Sequence, residues 1–371
     1  VGNYGWAVVL FTVILKIITL PLDFWQRFSM KKNAKMMSEL APIMAKLDKA
    51  YANDKNKLNQ EKQKLYKKHG YNMLSGCLPM IVTMTIFFVM FGGLNQCSAY
   101  VNLKVYSELS VHYTDTLSAE LSKHTEEYES KRYDILLSGK STAIEDYKTW
   151  LGGQGVAESA FDAEISAATS RISQIKAEAQ AEARKAVGEF YLEAKEGFLW
   201  ITNISRPDTW VESFPETAEK FTGTLTKKYR AYKDEFDSEL YGEIYKGISE
   251  QGVGYKVGDK HWNGLMILPV LSIALSFLST FISNKTSKKK NEEEQQLDPN
   301  AAAAQSSNKV MMFVMPVIMG VFGFVYTATF ALYMVCSSLL SILFTLAMNP
   351  IIDRRIAKIE SKVEKPDYRR K

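Results

Sequence analysis

The apolar positions fall into long uncharged runs near both ends of the chain, with a charged block between them. A run of 18 or more apolar residues is the length needed to cross a hydrocarbon core of about 30 Å. The first such run is Trp6–Trp25, WAVVLFTVILKIITLPLDFW, with Lys16 at its middle and Pro21 and Asp23 near its end. The second is Cys77–Leu94 and the third Gly264–Ser283. From Val310 to Met348 there are 39 residues without a charge. One helix of that length would reach about 60 Å, twice the core, so it predicts two spans (310–328 and 330–348) with a turn near Tyr326–Thr329. The pattern predicts an all-α polytopic membrane protein with five spans.

Between the runs the periodicity stays helical. In segment 26–72, Leu40, Ile43, Leu47 and Tyr51 recur at spacings of three and four. Asn53–Asp54 supplies a turn, and Leu58 and Leu65 mark a second stripe before a stop at His69–Gly70. This predicts a helical hairpin. The large insert, 98–260, is expected to hold a second helical hairpin over about 100–196, where Ile165, Ala168, Ile172, Ile175 and Ala179 share a helical spacing. Phe198–Trp210, FLWITNISRPDTW, has the aromatic and Pro content of an interfacial segment. Lys288–Asn308 is low-complexity and lies in a linker, 284–309.

Charge then orients the spans. Segment 26–72 holds twelve basic and four acidic residues, and the tail 350–371 holds eight and four. The insert holds twenty and twenty-eight. Five spans place the insert opposite the hairpin, linker and tail, and the positive-inside rule puts those three in the cytoplasm. The N-terminus and insert then face outward. Average composition hides this division: 371 residues with 46% apolar content and net charge +5 read as an ordinary soluble protein. Three cysteines do not make a disulfide framework. The start at Val1, almost directly in an apolar run, points to a segment or signal peptide removed ahead of it.

Lys16 is the most informative side chain. It is the eleventh residue of its span, roughly 15 Å from either end by helical rise, and a Lys side chain reaches only about 6 Å. At mid-bilayer it costs about 2.5–3.5 kcal/mol, so it is expected to face a wet cavity or a partner. Thr19 on the same span, Thr83 and Thr85 on the second, Ser276 on the third and Ser337 and Ser338 on the fifth could line such a cavity. Ser272, Ser279, Ser341 and Thr345 belong to the same stripes. Taken singly, Ser and Thr also serve as helix-packing hydrogen bonders in membranes. No H-E-x-x-H, G-x-S-x-G or Walker pattern is present, and the four histidines are scattered outside the spans, so neither an enzyme nor a cofactor or metal site is expected.

Four stretches carry a resemblance: VILKIITLPL (Val13–Leu22), KLNQEKQKLYKKHGYNMLSGCLPM (Lys57–Met80), FLWITNISRPDTW followed by NGLMILPVLSIALSFLSTFIS, and MMFVMPVIMG with ALYMVCSSLLSIL. In these the chain resembles the YidC-type membrane protein insertases, the bacterial branch of a family that also serves mitochondria and chloroplasts. Lys16 stands where that family usually has Arg, Met73 where Pro is usual, Thr83 and Thr85 where Gln and Pro are usual, and Ser338 where Asn is expected. The resemblance implies five helices around a hydrophilic groove in the bacterial inner membrane. That groove receives the polar tail of a client, whose apolar helix then passes into the lipid bilayer without nucleotide hydrolysis. It also implies nascent membrane proteins as clients, ribosomes meeting the basic C-terminal tail, and the general secretory channel as a further partner. Two other classes fit parts of the pattern: a transporter or channel using Lys16 as a substrate or ion site, and a surface receptor working through its ectodomain. Five unequal spans show no inverted repeat for the former.

Overall fold

The computed structural model describes residues 3–69, 74–233, 235–288, 314, 317–318 and 320–360. The chain divides into two compact units. Unit one comprises Val1–Gln96, Gly197–Trp210 and Gly264–Lys371, and unit two Cys97–Glu196 and Val211–Asn263.

In unit one, α1 (Tyr4–Ala50) is a single helix of 47 residues that runs from the first apolar run straight into the basic segment. The sequence reading divided this stretch at residue 25, but Pro21 and Pro42 lie within the helix without ending it. Asn3 caps its start, its side chain accepting from the Gly5 amide and donating to the Gly197 carbonyl. A turn after Tyr51 leads to α2 (Lys55–Lys68), whose N-cap Asp54 accepts from the Lys57 amide. The two helices are tied by Lys62 and Asp48, 2.7 Å apart, over a buried Leu40 and Met44. The predicted stop at Gly70 lies outside the described residues.

Helix α3 (Leu74–Ser122) begins in unit one and continues into unit two over 49 residues, well past the expected end of the second span at residue 94. Gly92 and Gly93 lie within it without breaking it. Cys77 and Cys97 both fall on this helix, about 30 Å apart by rise, which keeps them from pairing. Unit one also holds α10 (Ile267–Lys288) and α11 (Ala328–Glu360). Residues 320–325 are helical, the helix opens at Tyr326 and Thr327, and α11 starts at Ala328, within the stretch where the polar YTAT sequence predicted a turn. The described stretches of α1, α3 and α11 are long and apolar enough to cross a membrane, and that of α10 is a shorter apolar helix.

The segment 198–210 is the clamp of unit one. Its Asn203, Ser205, Asp208 and Thr209 are buried, which an interfacial ribbon would not require. The Ala328 and Thr329 amides donate to the Arg206 and Ile204 carbonyls, so the loop satisfies the open N-terminus of α11. Asp208 does the same for α10, accepting from the Met266 and Leu268 amides at 3.1 and 2.8 Å and from the Trp200 indole at 3.2 Å.

Unit two is more than the expected hairpin over 100–196. Short helices α4 (Thr125–Ser130), α5 (Tyr133–Leu137) and α6 (Ala143–Gly153) precede α7 (Phe161–Ala194). Helices α8 (Ala218–Thr224) and α9 (Ser238–Gln251) pack back on α3 and α7 through Leu109, Val187, Tyr191, Phe221, Tyr241 and Ile244. A two-stranded antiparallel ribbon, β1 (Tyr255–Val257) with β2 (Lys260–Trp262), departs from the all-α reading. Gly258 at φ 63° and Gly254 at φ 119° supply the left-handed geometry its turns need.

A candidate polar site inside unit one

Each of three helices carries a polar stripe at spacings of three and four. On α1 the stripe is Thr12, Lys16, Thr19 and Asp23, on α10 it is Ser272, Ser276 and Ser279, and on α11 it is Ser338, Ser341 and Thr345. Helix α11 packs against both α1 and α10. The opposite face of α1 is wholly apolar: Leu10, Phe11, Ile14, Ile17 and Ile18 are exposed, as suits a surface that meets acyl chains. Helix α11 presents Leu339, Leu343 and Leu346 in the same manner.

Lys16 is the centre of the α1 stripe. Its ammonium donates to Asp23 Oδ2 at 2.7 Å, and both side chains are only 15% exposed. The sequence leaves Lys16 either a wet cavity or a partner, and Asp23 is a partner, because residues seven apart fall on one helical face, two turns from each other. Thr19 donates to the Lys16 carbonyl at 3.2 Å, and Thr12, fully buried, donates to the Val8 carbonyl at 2.7 Å. Thr12 was missed in the sequence; its signal was its place one turn before Lys16. Arg27 and Tyr333 both lie within electrostatic range of Asp23, and Tyr333 shares a side-chain hydrogen bond with Ser337.

The other expected residues divide. Ser276 Oγ and Ser338 Oγ meet at 3.4 Å and join α10 to α11, both half-buried. Ser272 is buried and donates to the Pro269 carbonyl. Thr85 is exposed and gives its hydroxyl to the Ile81 carbonyl of its own helix. Thr83 lies on α3, and its side chain is outside the described residues. Among the described residues no cluster of His, Cys, Asp and Glu suits a metal ion. Unit two has a cavity of about 580 Å³ floored by Tyr106, Phe221 and Phe236, away from any residue singled out in the sequence.

Long apolar helices that carry an ion pair and hydroxyl stripes define a polytopic helical membrane protein. The chain matches the 60Kd inner membrane protein family over residues 1–137 and 185–355, and it belongs to that family. Among curated relatives, it is 44% identical over 91 residues to the membrane protein insertase YidC of Helicobacter pylori, a stretch covering 24% of this chain and 16% of that protein. It is 44% identical over 96 residues to the Fusobacterium nucleatum protein of the same name, 26% of this chain and 45% of that one. The Caldanaerobacter subterraneus protein is 40% identical over 100 residues, 27% and 47% of the two chains. The matched stretches therefore span less than half the length of each of these relatives. No solved structure matches the chain. The family match leaves out residues 138–184, which hold α6 and most of α7.

Proposed function

We propose that this protein is a membrane protein insertase of the bacterial inner membrane. A client's polar tail enters a hydrated groove among the spans, and its apolar helix leaves sideways into lipid. Lys16 supplies the attraction for acidic tails. Thr19, Thr83, Thr85, Ser276, Ser337 and Ser338 supply the polar lining that lets peptide and water replace one another. No nucleotide hydrolysis is required, because burying about twenty apolar residues of the client supplies the driving force at roughly 25 cal/mol per Å². Nascent membrane proteins are the clients. The basic tail after residue 350 meets the ribosome, and the general secretory channel is a further partner. The hairpin, linker and tail face the cytoplasm, and the N-terminus and insert face outward, as the basic excess of segment 26–72 favours.

The observation that carries this reading is a charged pair, 15% exposed on each side, held inside an apolar helix of a chain that belongs to this family. An ionisable residue at that depth carries an insertion cost of about 2.5–3.5 kcal/mol, and a polar path through the membrane gives the chain a reason to bear it. The test is reconstitution of the full chain in liposomes with a small single-span client bearing an acidic tail. Insertion by the wild type alone is expected, with a tenfold or greater loss on Lys16→Ala. Wild-type insertion no higher than in empty liposomes would refute the proposal.

A further inference from the structure

We propose that Asp23 is a specificity-determining residue: it is the resident counterion of Lys16, and a client carboxylate has to displace it to reach the ammonium. This rests on the insertase reading and adds a residue to it.

The geometry favours exchange over a fixed structural tie. Lys16 and Asp23 are about 10.5 Å apart along the helix axis by rise, so the lysine must extend nearly its full length toward the α2 end. Side chains on a helix lean toward its N-terminus, so Lys16 runs against its natural direction while Asp23 follows it. Asp23 therefore draws the ammonium away from the middle of the span, and without it the lysine is free to lean back toward mid-depth. Two unpaired charges enclosed at 15% exposure would each carry a desolvation penalty, and pairing at 2.7 Å offsets it. At rest the site is consequently a dipole and not a bare cation, and its pull on an acidic tail is weakened.

The same surroundings provide a place for Asp23 when it is displaced. Arg27 lies one turn further along α1 and already interacts electrostatically with it. A client carboxylate taking Lys16 leaves Asp23 against Arg27, so no charge is stranded. A neutral tail offers nothing in exchange and gains nothing from the loss of Asp23.

The experiment uses the full chain in liposomes with two single-span clients that differ only in tail, one carrying Glu and one Gln at the same positions. Asp23→Asn is expected to raise the ratio of acidic-tail to neutral-tail insertion at least threefold over wild type. Asp23→Ser, which removes the charge with a smaller side chain, gives the same rise and stands in if the first variant fails to fold. Lys16→Gln brings the ratio to about one. The charge swap, Lys16→Asp with Asp23→Lys, rebuilds an ion pair but leaves the acidic preference below wild type. The proposal is overturned if the Asp23 variants lower both clients alike and the swap restores both, because the pair is then only structural. Wild type inserting both clients with an unchanged ratio in Asp23→Asn removes Asp23's role and leaves the insertase reading standing; wild type inserting neither removes both.

Discussion

Asp208 accepts from the Leu268 amide at 2.8 Å although the two are sixty positions apart in sequence. The contact seats a fully buried carboxylate on the N-terminus of α10, where unsatisfied amides and the helix dipole favour negative charge. A Cβ on Gly264 would collide with this carboxylate, which explains a glycine at the approach to the helix. Asp208→Ala strands the Met266 and Leu268 amides and the Trp200 indole, and is expected to cost about 2–4 kcal/mol. The check is thermal unfolding of the detergent-solubilised protein, where Asp208→Asn should lose less because it keeps one acceptor. An Asp208→Ala midpoint within a degree of wild type would refute the cap.

How far the sequence made this legible depends on the range over which the deciding force acts. The long apolar stretches of α1, α3 and α11 and the turn at Tyr326–Thr327 were readable because lipid imposes one rule on every residue of a run. The Lys16–Asp23 pair was also within reach, as seven residues is two helical turns, but Asp23 was judged by its distance from the end of the span and not by the face it shares. Asp208 was not readable: its role depends on the distant residues 266–268, and its neighbours Trp200 and Trp210 resemble any interfacial belt. The β1–β2 ribbon was hidden by its size, although Gly254 and Gly258 flank an alternating YKV. The core of unit two depends on Tyr241 and Ile244 reaching Val187 and Tyr191, a pairing no local period encodes.

In unit two, α7 and α9 touch backbone to backbone at Gly188 and Gly247. A Cβ on Gly188 would lie 2.5 Å from the Gly247 carbonyl oxygen, and one on Gly247 would meet the Arg184 carbonyl. Neither neighbour is a flexible side-chain end, so the helices have to part. Gly188→Ala and Gly247→Ala are each expected to destabilise by about 1–3 kcal/mol, as overpacking does. Gly242→Ala, on the same helix with open space at its Cβ, is the control and should be neutral or slightly stabilising. Proteolytic susceptibility of the α7–α9 region ranks the three variants; equal susceptibility would argue against the close crossing.

The same pair of helices predicts an acid response. Burial pushes the Glu243 carboxyl up, but hydrogen bonds from Lys246 and from Arg184 at 2.8 Å outweigh it and hold the group below its ordinary value. A carboxyl lowered in the folded state stabilises above its unfolded value of about 4.3 and loses that contribution as pH falls through the lower folded value. Unfolding midpoints measured from pH 7 down to pH 3 should drop more steeply for wild type than for Glu243→Gln in the acid limb. Parallel curves would show that the pair contributes nothing to folding.

Lys62 ties α2 to α1. Its side chain is 10% exposed, and its ammonium sits 2.7 Å from Asp48. Asp48→Ala leaves that ammonium enclosed without its carboxylate, which costs more than truncating the lysine itself. Amide hydrogen exchange in α2 is therefore expected to speed up more in Asp48→Ala than in Lys62→Met, which keeps an unbranched side chain of similar length and strands no buried ammonium. The reverse order would mean that α2 is held by apolar contact alone.

The contact of Ser276 with Ser338 gives direct access to the interior of unit one. Their Oγ atoms are 3.4 Å apart, close enough that cysteines at both positions should oxidise to a disulfide between α10 and α11. The natural cysteines have to be replaced first, Cys336 above all, since it lies two residues from 338. With Ser276→Cys and Ser338→Cys in that background, mild oxidation is expected to link the helices in most molecules, seen as a joined peptide pair after digestion. If the client's tail must pass between α10 and α11, the linked protein loses insertion and reduction restores it. If the tail enters on the α1 side, beside Lys16, insertion survives the link. The second outcome follows from the placement of the charge: Ser276 and Ser338 are neutral hydroxyls that close on each other, whereas the ion pair of Lys16 and Asp23 lies on α1. Cross-linked protein that keeps at least half of its insertion activity is therefore the expected result, and complete loss would move the client's path to the α10–α11 seam.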